Sequence, residues 1–233
     1  MTYLMSDPHG QYDKYIELLE KIRFTGRDDL YVLGDAVDRG PEPMKLLWDM
    51  SLRINVFPIL GNHDWTARTL LSRLNVEITE ENAEFGITGD LLEAVRLWLS
   101  DGGDTTLADF RRLNPEERED VLDYLGEFAP YEEIAVNGVR YLLVHAGLRD
   151  FAPDKPLAAY DALDLCDGRT DYSRRYFGDR ILVTGHTPTL SIDPAYRGRI
   201  WRGNGHIALD CGAGFGLPLG CLRLEDGAEF YAE

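Results

Sequence analysis

The chain predicts one layered α/β domain, and two features of the sequence carry that prediction. Five short hydrophobic runs each stop abruptly at a small polar cluster: "TYLMSDPH" (2–9), "LYVLGDAVDRG" (30–40), "VFPILGNHD" (56–64), "YLLVHAGL" (141–148) and "ILVTGHTP" (181–188). Apolar residues at helical spacing separate the early runs, giving a βαβα start.

Taken in order, the first run is rich in aromatic and aliphatic residues, as expected of a strand buried on both faces. Tyr12, Tyr15, Ile16, Leu19 and Ile22 then repeat at helical spacing up to the break at Gly26. After the second run, Pro43 to Met50 places Met44, Leu47 and Trp48 on one helical face. The third run ends in Asn62, His63 and Asp64, read as residues leaving the end of a strand. From about 66 to 130 strand signals disappear, and this stretch is read as a helical insertion over the strand ends, sharing the main core. Within it Asn114 is the expected N-cap of a helix opened by Pro115 and acidic residues, with Val121, Leu125 and Phe128 as its buried stripe. Residues 149–180 are polar and irregular and predict a loop over the site that contacts substrate. A sixth run, "HIALDCG" (206–212), has the same form as the first five. One domain, 1–233, accounts for the whole chain.

Composition removes several function classes. Formal net charge is −17, a surface that repels nucleic-acid backbones. No apolar stretch approaches the roughly 20 residues that span a bilayer. The first residues lack a signal-peptide pattern. Cys166, Cys211 and Cys221 are dispersed and odd in number, which fits a reducing cytoplasm better than a disulfide framework.

Polar residues at the C-terminal ends of buried strands mark the ligand-binding side of such a fold. Four of the five histidines sit there, His9, His63, His145 and His186, together with Asp7, Asp35 and Asn62. Imidazoles mixed with hard oxygen donors and no thiolate suit Mn²⁺, Fe or Zn²⁺. Seven candidates exceed one tetrahedral site and match two ions sharing a carboxylate. His206 has no motif around it and is read as structural.

The clusters "DPHG", "GDAVDRG", "GNHD", "HAG" and "GHTP", in this order, resemble the motifs of the phosphoprotein phosphatase family of calcineurin-like metallophosphoesterases. "WLSDGGDTT" (98–106) resembles a W-x-x-x-G-G element of its bacterial members. The resemblance implies a layered β-sandwich flanked by helices and a dinuclear metal centre, Mn²⁺ in the first instance. It implies Asp7 and His9 on one metal, Asp35 bridging, and Asn62, His145 and His186 on the other. It also implies attack by a hydroxide held between the metals, with Arg39 clamping the phosphoryl group. His63 is then the general acid, oriented by Asp38. Arg169 is expected as a second phosphate-binding arginine, ahead of Arg174 and Arg175, although Leu165-Cys166-Asp167 departs from the usual tryptophan pattern there. Asp64 is expected to support the loop from behind, and Asp210 to stand behind the metals.

The activity implied first is a serine/threonine protein phosphatase acting on a phosphorylated protein, peptide or small phosphoester. The alternative is a nucleotide hydrolase like the symmetric diadenosine tetraphosphatases. "GNHD" and the ending "DCGAGFG" lean toward the alternative, and Asp38 leans toward the first. A metal- or phosphate-binding module without turnover is a third reading, opposed by the complete ligand set.

Overall fold

The computed structural model describes residues 1–76 and 88–233. Among the described residues ten strands form two five-stranded mixed sheets, with helices against the outer face of the first. All six expected strands are present: β1 (Thr2–Met5), β2 (Asp29–Leu33), β3 (Val56–Ile59), β5 (Val139–Leu143), β6 (Ile181–Thr184) and β8 (His206–Ala208). Four more were not read from the sequence: β4 (Glu132–Val136), β7 (Trp201–Gly203), β9 (Leu219–Arg223) and β10 (Glu229–Ala232). The first sheet runs β10-β9-β1-β2-β3 and the second β4-β5-β6-β8-β7.

Each sheet carries a parallel trio at its heart, β1, β2 and β3 in one and β5, β6 and β8 in the other. Alternation along the strands sorts their side chains between layers. Leu4, Leu33 and Ile59 point inward against Leu143, Val183 and Ile207 of the second sheet. Tyr3, Met5 and Val32 point outward to the helical layer, α1 (Tyr12–Lys21) and α2 (Pro43–Ser51). Because the six strands are parallel within each trio, their C-terminal ends gather every polar cluster at one edge of the sandwich.

Helices continue through α3 (Asn62–Leu74), α4 (Gly89–Trp98), α5 (Asp104–Phe110) and α6 (Pro115–Gly126). They share the first sheet's outer core through Ala67, Leu71, Leu91, Phe110 and Leu125. Of the stretch read as helical, residues 77–87 lie outside the described residues. Asn114 caps α6 as expected, accepting from the Glu117 amide at 3.0 Å while Glu117 accepts from the Asn114 amide at 2.8 Å. Such a reciprocal cap contributes about 1 kcal/mol.

Two local expectations are corrected. Asn62, His63 and Asp64 are the first turn of α3 and do not end the strand, because the chain turns at Gly61 and enters the helix at once. Much of 149–180 covers the outer face of the second sheet, where Leu148, Tyr160 and Leu165 pack on Leu142 and Leu182. It includes the short helix α7 (Ala162–Cys166), and its middle and later parts are tied back beside His145, the Ala146 amide donating to the Leu165 carbonyl at 2.9 Å and Thr170 Oγ1 to the Ala146 carbonyl at 3.0 Å.

Candidate active site

Of the ten residues singled out from the sequence, the structure brings nine together where the two parallel trios end. Asp35, just beyond β2, is the centre. His9 and His63 lie on one side of it, with ligand atoms of all three within 4.8 Å of one another. His145 and His186 form a second such group on the other side, and Asp35 belongs to both. Asn62 joins the second group, its Oδ1 being 3.1 Å from His145 Nε2 and 2.9 Å from His186 Nδ1. Asp7 lies beneath, taking the Ser6 hydroxyl and the His186 amide.

The backbone is strained to make this convergence. Asp7, His9, Asp35, Asp38, Arg39 and His186 all have positive φ, between 44° and 70°. Left-handed backbone at a residue with a Cβ costs about 1–3 kcal/mol each, and it persists where surrounding contacts over-determine it. Here hydrogen bonds do so. Asp64 is fully buried, and its carboxylate accepts from the amides of Asp35 (2.8 Å), Ala36 (2.9 Å) and Gly61 (3.0 Å). It therefore ties the start of α3 to the turn after β2.

Imidazole orientation is set by the backbone as well. His9 Nδ1 faces the Val37 carbonyl at 2.9 Å and His145 Nδ1 the Leu33 carbonyl at 2.7 Å. A proton on each Nδ1 satisfies those carbonyls and turns each Nε2 toward Asp35, at 3.7 and 3.4 Å. Five carboxyls, those of Asp7, Asp35, Asp38, Asp64 and Asp210, are buried in this region. Burial and neighbouring negative charge push Asp7 up to about 6 and Asp64 up to about 7, and raise Asp210 well above the usual range. So much buried negative charge, with imidazole nitrogens aimed at a shared carboxylate and no thiolate nearby, is the donor chemistry of divalent cations. The residues fit two such ions.

His63 is held differently. Its Nδ1 meets Asp38 Oδ2 at 2.7 Å, and its Nε2 faces Arg39 Nη2 at 2.9 Å. Burial opposes its protonation, but the charges of Asp35 and Asp38 outweigh burial and raise it to about 9. Asp38 is itself immobilised. Oδ2 also accepts from Trp98 Nε1 at 2.8 Å, and Oδ1 accepts from Thr106 Oγ1 at 2.6 Å. The sequence of 98–106 carries a recognisable pattern but gives Trp98 and Thr106 no task by itself. The spacing does have a physical basis. Between them Gly102, with φ of +100°, offers its carbonyl to the Arg39 amide at 2.9 Å, and a Cβ there would lie 2.5 Å from Arg39 Cγ. The element thus braces Asp38 and Arg39 together.

Arg39 contacts His9 and His63, pairs with Asp101 at 3.1 Å, and lies 4.6 Å from the centre of the Phe215 ring. Arg169 is the one predicted residue outside the cluster. It is exposed, and its connection to the site is the repulsion its charge exerts on protonated His186. Arg174 stacks on Tyr176 at 4.6 Å. His206 is buried between the rings of Tyr172 and Tyr176 and bonds the Arg174 carbonyl at 2.8 Å, a packing role.

Two mixed sheets with this strand-end centre define a metallophosphoesterase. The calcineurin-like phosphoesterase family matches residues 2–213, and the chain belongs to it. Among its relatives is the asymmetrical bis(5'-nucleosyl)-tetraphosphatase PrpE of Geobacillus thermodenitrificans, 28% identical, the alignment covering 94% of this chain and 89% of that enzyme. Symmetrical bis(5'-nucleosyl)-tetraphosphatase of Escherichia coli is 49% identical over 65 residues, a stretch covering 27% of this chain and 23% of that enzyme. A solved structure of a candidate diadenosine tetraphosphatase superposes with a TM-score of 0.66 at 19% identity, covering 99% of this chain and 92% of that one. A serine/threonine phosphatase from Saccharomyces cerevisiae superposes at 0.53 and 14% identity, covering 100% and 80%. These two structures speak to the fold.

Proposed function

We propose that the chain hydrolyses dinucleoside polyphosphates at a two-metal centre. Asp7, His9 and Asp35 would hold one ion, and Asp35, Asn62, His145 and His186 the other, with Mn²⁺ the first candidate ahead of Fe or Zn²⁺. Ions bound there supply positive charge that draws in phosphate oxygens and make water at the site acidic enough to attack phosphorus near neutral pH. Arg39 orients the phosphoryl group by paired N–H donors. With Arg39 turned from His63 Nε2 onto the phosphoryl group, His63 carries a proton on both ring nitrogens and gives the Nε2 proton to the departing oxygen while Asp38 keeps the Nδ1 proton fixed. Arg169 meets the outer phosphates of an elongated substrate.

The end-to-end match to a bis(5'-nucleosyl)-tetraphosphatase carries this choice of substrate. A second reading, phosphoserine or phosphothreonine in proteins, is favoured by the tightly held Asp38–His63 pair. An alkoxide needs a proton on leaving far more than a nucleoside phosphate does. A cytoplasmic location is supported by three buried free thiols, and no helix among the described residues is long and apolar enough to cross a membrane.

Chromatography of Mn²⁺-supplemented reactions separates the readings. Diadenosine tetraphosphate gives either two ADP or AMP with ATP, and the products identify the bond cleaved. Release of phosphate from a phosphopeptide, with the dinucleotide untouched, would replace the proposed substrate by the second.

A further inference from the structure

Phe215 sits on the turn Ala213–Phe215, close above the candidate centre. Among the described residues it is the most exposed aromatic side chain, at 61%, against 37% for Phe57 and 36% for Tyr196. Leaving a phenyl ring mostly exposed forgoes burial that would stabilise the fold, so its position calls for a reason. The turn beneath it is firmly seated. Ala213 is buried in the helical-side core, and Lys14 Nζ donates to the Leu217 carbonyl at 2.7 Å. Gly214 presses so close that a Cβ would lie 2.4 Å from His9 Cδ2. The ring is therefore presented by a fixed backbone.

One neighbour of the ring is known: the Arg39 guanidinium carbon, 4.6 Å from its centre, within range of a cation–π contact. A phosphate on Arg39 would leave its ribose to span from the guanidinium to the ring and bring its base onto the exposed phenyl face.

We infer that Phe215 is a stacking platform for the base of a nucleotide whose phosphate lies on Arg39. The inference deepens the proposed function and rests on it. Stacking of a base on an aromatic side chain tolerates any base, so the platform selects nucleotides as a class and does not choose among bases. It also explains how an acidic protein can select nucleotides without a broad basic surface. The −17 net charge discourages polymers, and one aromatic ring beside one arginine suffices for a mononucleotide unit.

The test compares Phe215→Ala and Phe215→Trp with the parent, each with Mn²⁺ added. Diadenosine tetraphosphate and phosphoserine are the substrates, and AMP is tested as a competitive inhibitor of phosphoserine hydrolysis. Loss of stacking predicts that kcat/KM for the dinucleotide, relative to phosphoserine, falls about tenfold to a hundredfold in the alanine variant, mainly through KM. The tryptophan variant restores the ratio. Thermal unfolding stays close to that of the parent, since the ring is largely exposed. An unchanged ratio in the alanine variant overturns the inference and leaves the proposed function standing. If the parent does not cleave the dinucleotide, the proposed function falls. AMP then decides the platform: weakened inhibition in Phe215→Ala supports it, and equal inhibition removes it.

Discussion

Replacing Trp98 by Phe tests whether the 98–106 element serves the chemistry or only the core. Asp38 is fully buried and its carboxylate accepts three hydrogen bonds, from His63 at 2.7 Å, Trp98 at 2.8 Å and Thr106 at 2.6 Å. Phenylalanine keeps most of the aromatic bulk and deletes the indole N–H. A hydrogen bond to a buried charge contributes about 1.5–3 kcal/mol. In a chain of this size each kcal/mol shifts Tm by about 2–4 °C, so Tm falls by about 3–12 °C. The second consequence concerns His63, whose orientation depends on an anion that has lost one of its three tethers. General acid catalysis is typically worth about 10²–10⁴-fold, and partial misplacement of His63 forfeits about tenfold to a hundredfold of that. The loss falls on substrates whose leaving oxygen needs a proton. The assay is therefore kcat on phosphoserine against kcat on p-nitrophenyl phosphate, whose leaving group departs readily as an anion. Phosphoserine turnover drops at least about tenfold more than aryl turnover if the bracing serves the proton donor. Equal losses on the two substrates would show that Trp98 merely packs, and the link to His63 would be abandoned.

Other substitutions probe the neighbouring parts. His63→Asn keeps both metals by metal analysis and loses about 10²–10⁴-fold on alkyl phosphates, with a much smaller loss on the dinucleotide; loss of a metal would show that His63 is a ligand. Asp64→Asn sets an amide N–H₂ against amides that now donate to a carboxylate. It costs about 2–4 kcal/mol in denaturant unfolding, and an unchanged midpoint would mean that these bonds do not hold the site. Gly102→Ala places a Cβ 2.5 Å from Arg39 Cγ at a φ of +100°. It raises KM for phosphoesters about tenfold by displacing Arg39, and a KM equal to the parent's would refute the bracing of Arg39. Stripping metal with a chelator lowers Tm, because ions bound only to the folded state stabilise it by about 2.7 kcal/mol at a hundredfold excess over Kd. A Tm indifferent to chelator and to re-added Mn²⁺ would speak against the donor sets.

What could be read in the sequence was the periodic and the local. Strands β1, β2, β3, β5, β6 and β8 are hydrophobic runs ending in polar clusters, and their parallel pairing turns that linear pattern into one edge bearing the site. Strand β4 alternates between half-buried and exposed residues, β7 has three residues, and β9 carries a glycine, so their signals were faint. The start of α3 was concealed because its N-cap, Gly61, has no side chain; Asp64 reaches back from the third helical position to do the capping. Trp98 and Thr106 stood out as a pattern without a task, since their partner Asp38 is 60 and 68 residues away and contact at that separation is a product of folding. Phe215 lies within "DCGAGFG" (210–216), but only the fold brings it to Arg39.

The central claim is that Asp35 joins two cation sites in one centre. Metal content per chain, measured by mass spectrometry after loading with Mn²⁺ and gel filtration, tests it directly in the parent and in Asp35→Asn. The account predicts two ions per parent chain and loss of both from the variant at the same free Mn²⁺. One ion or none in the parent, or two retained by Asp35→Asn, would contradict it.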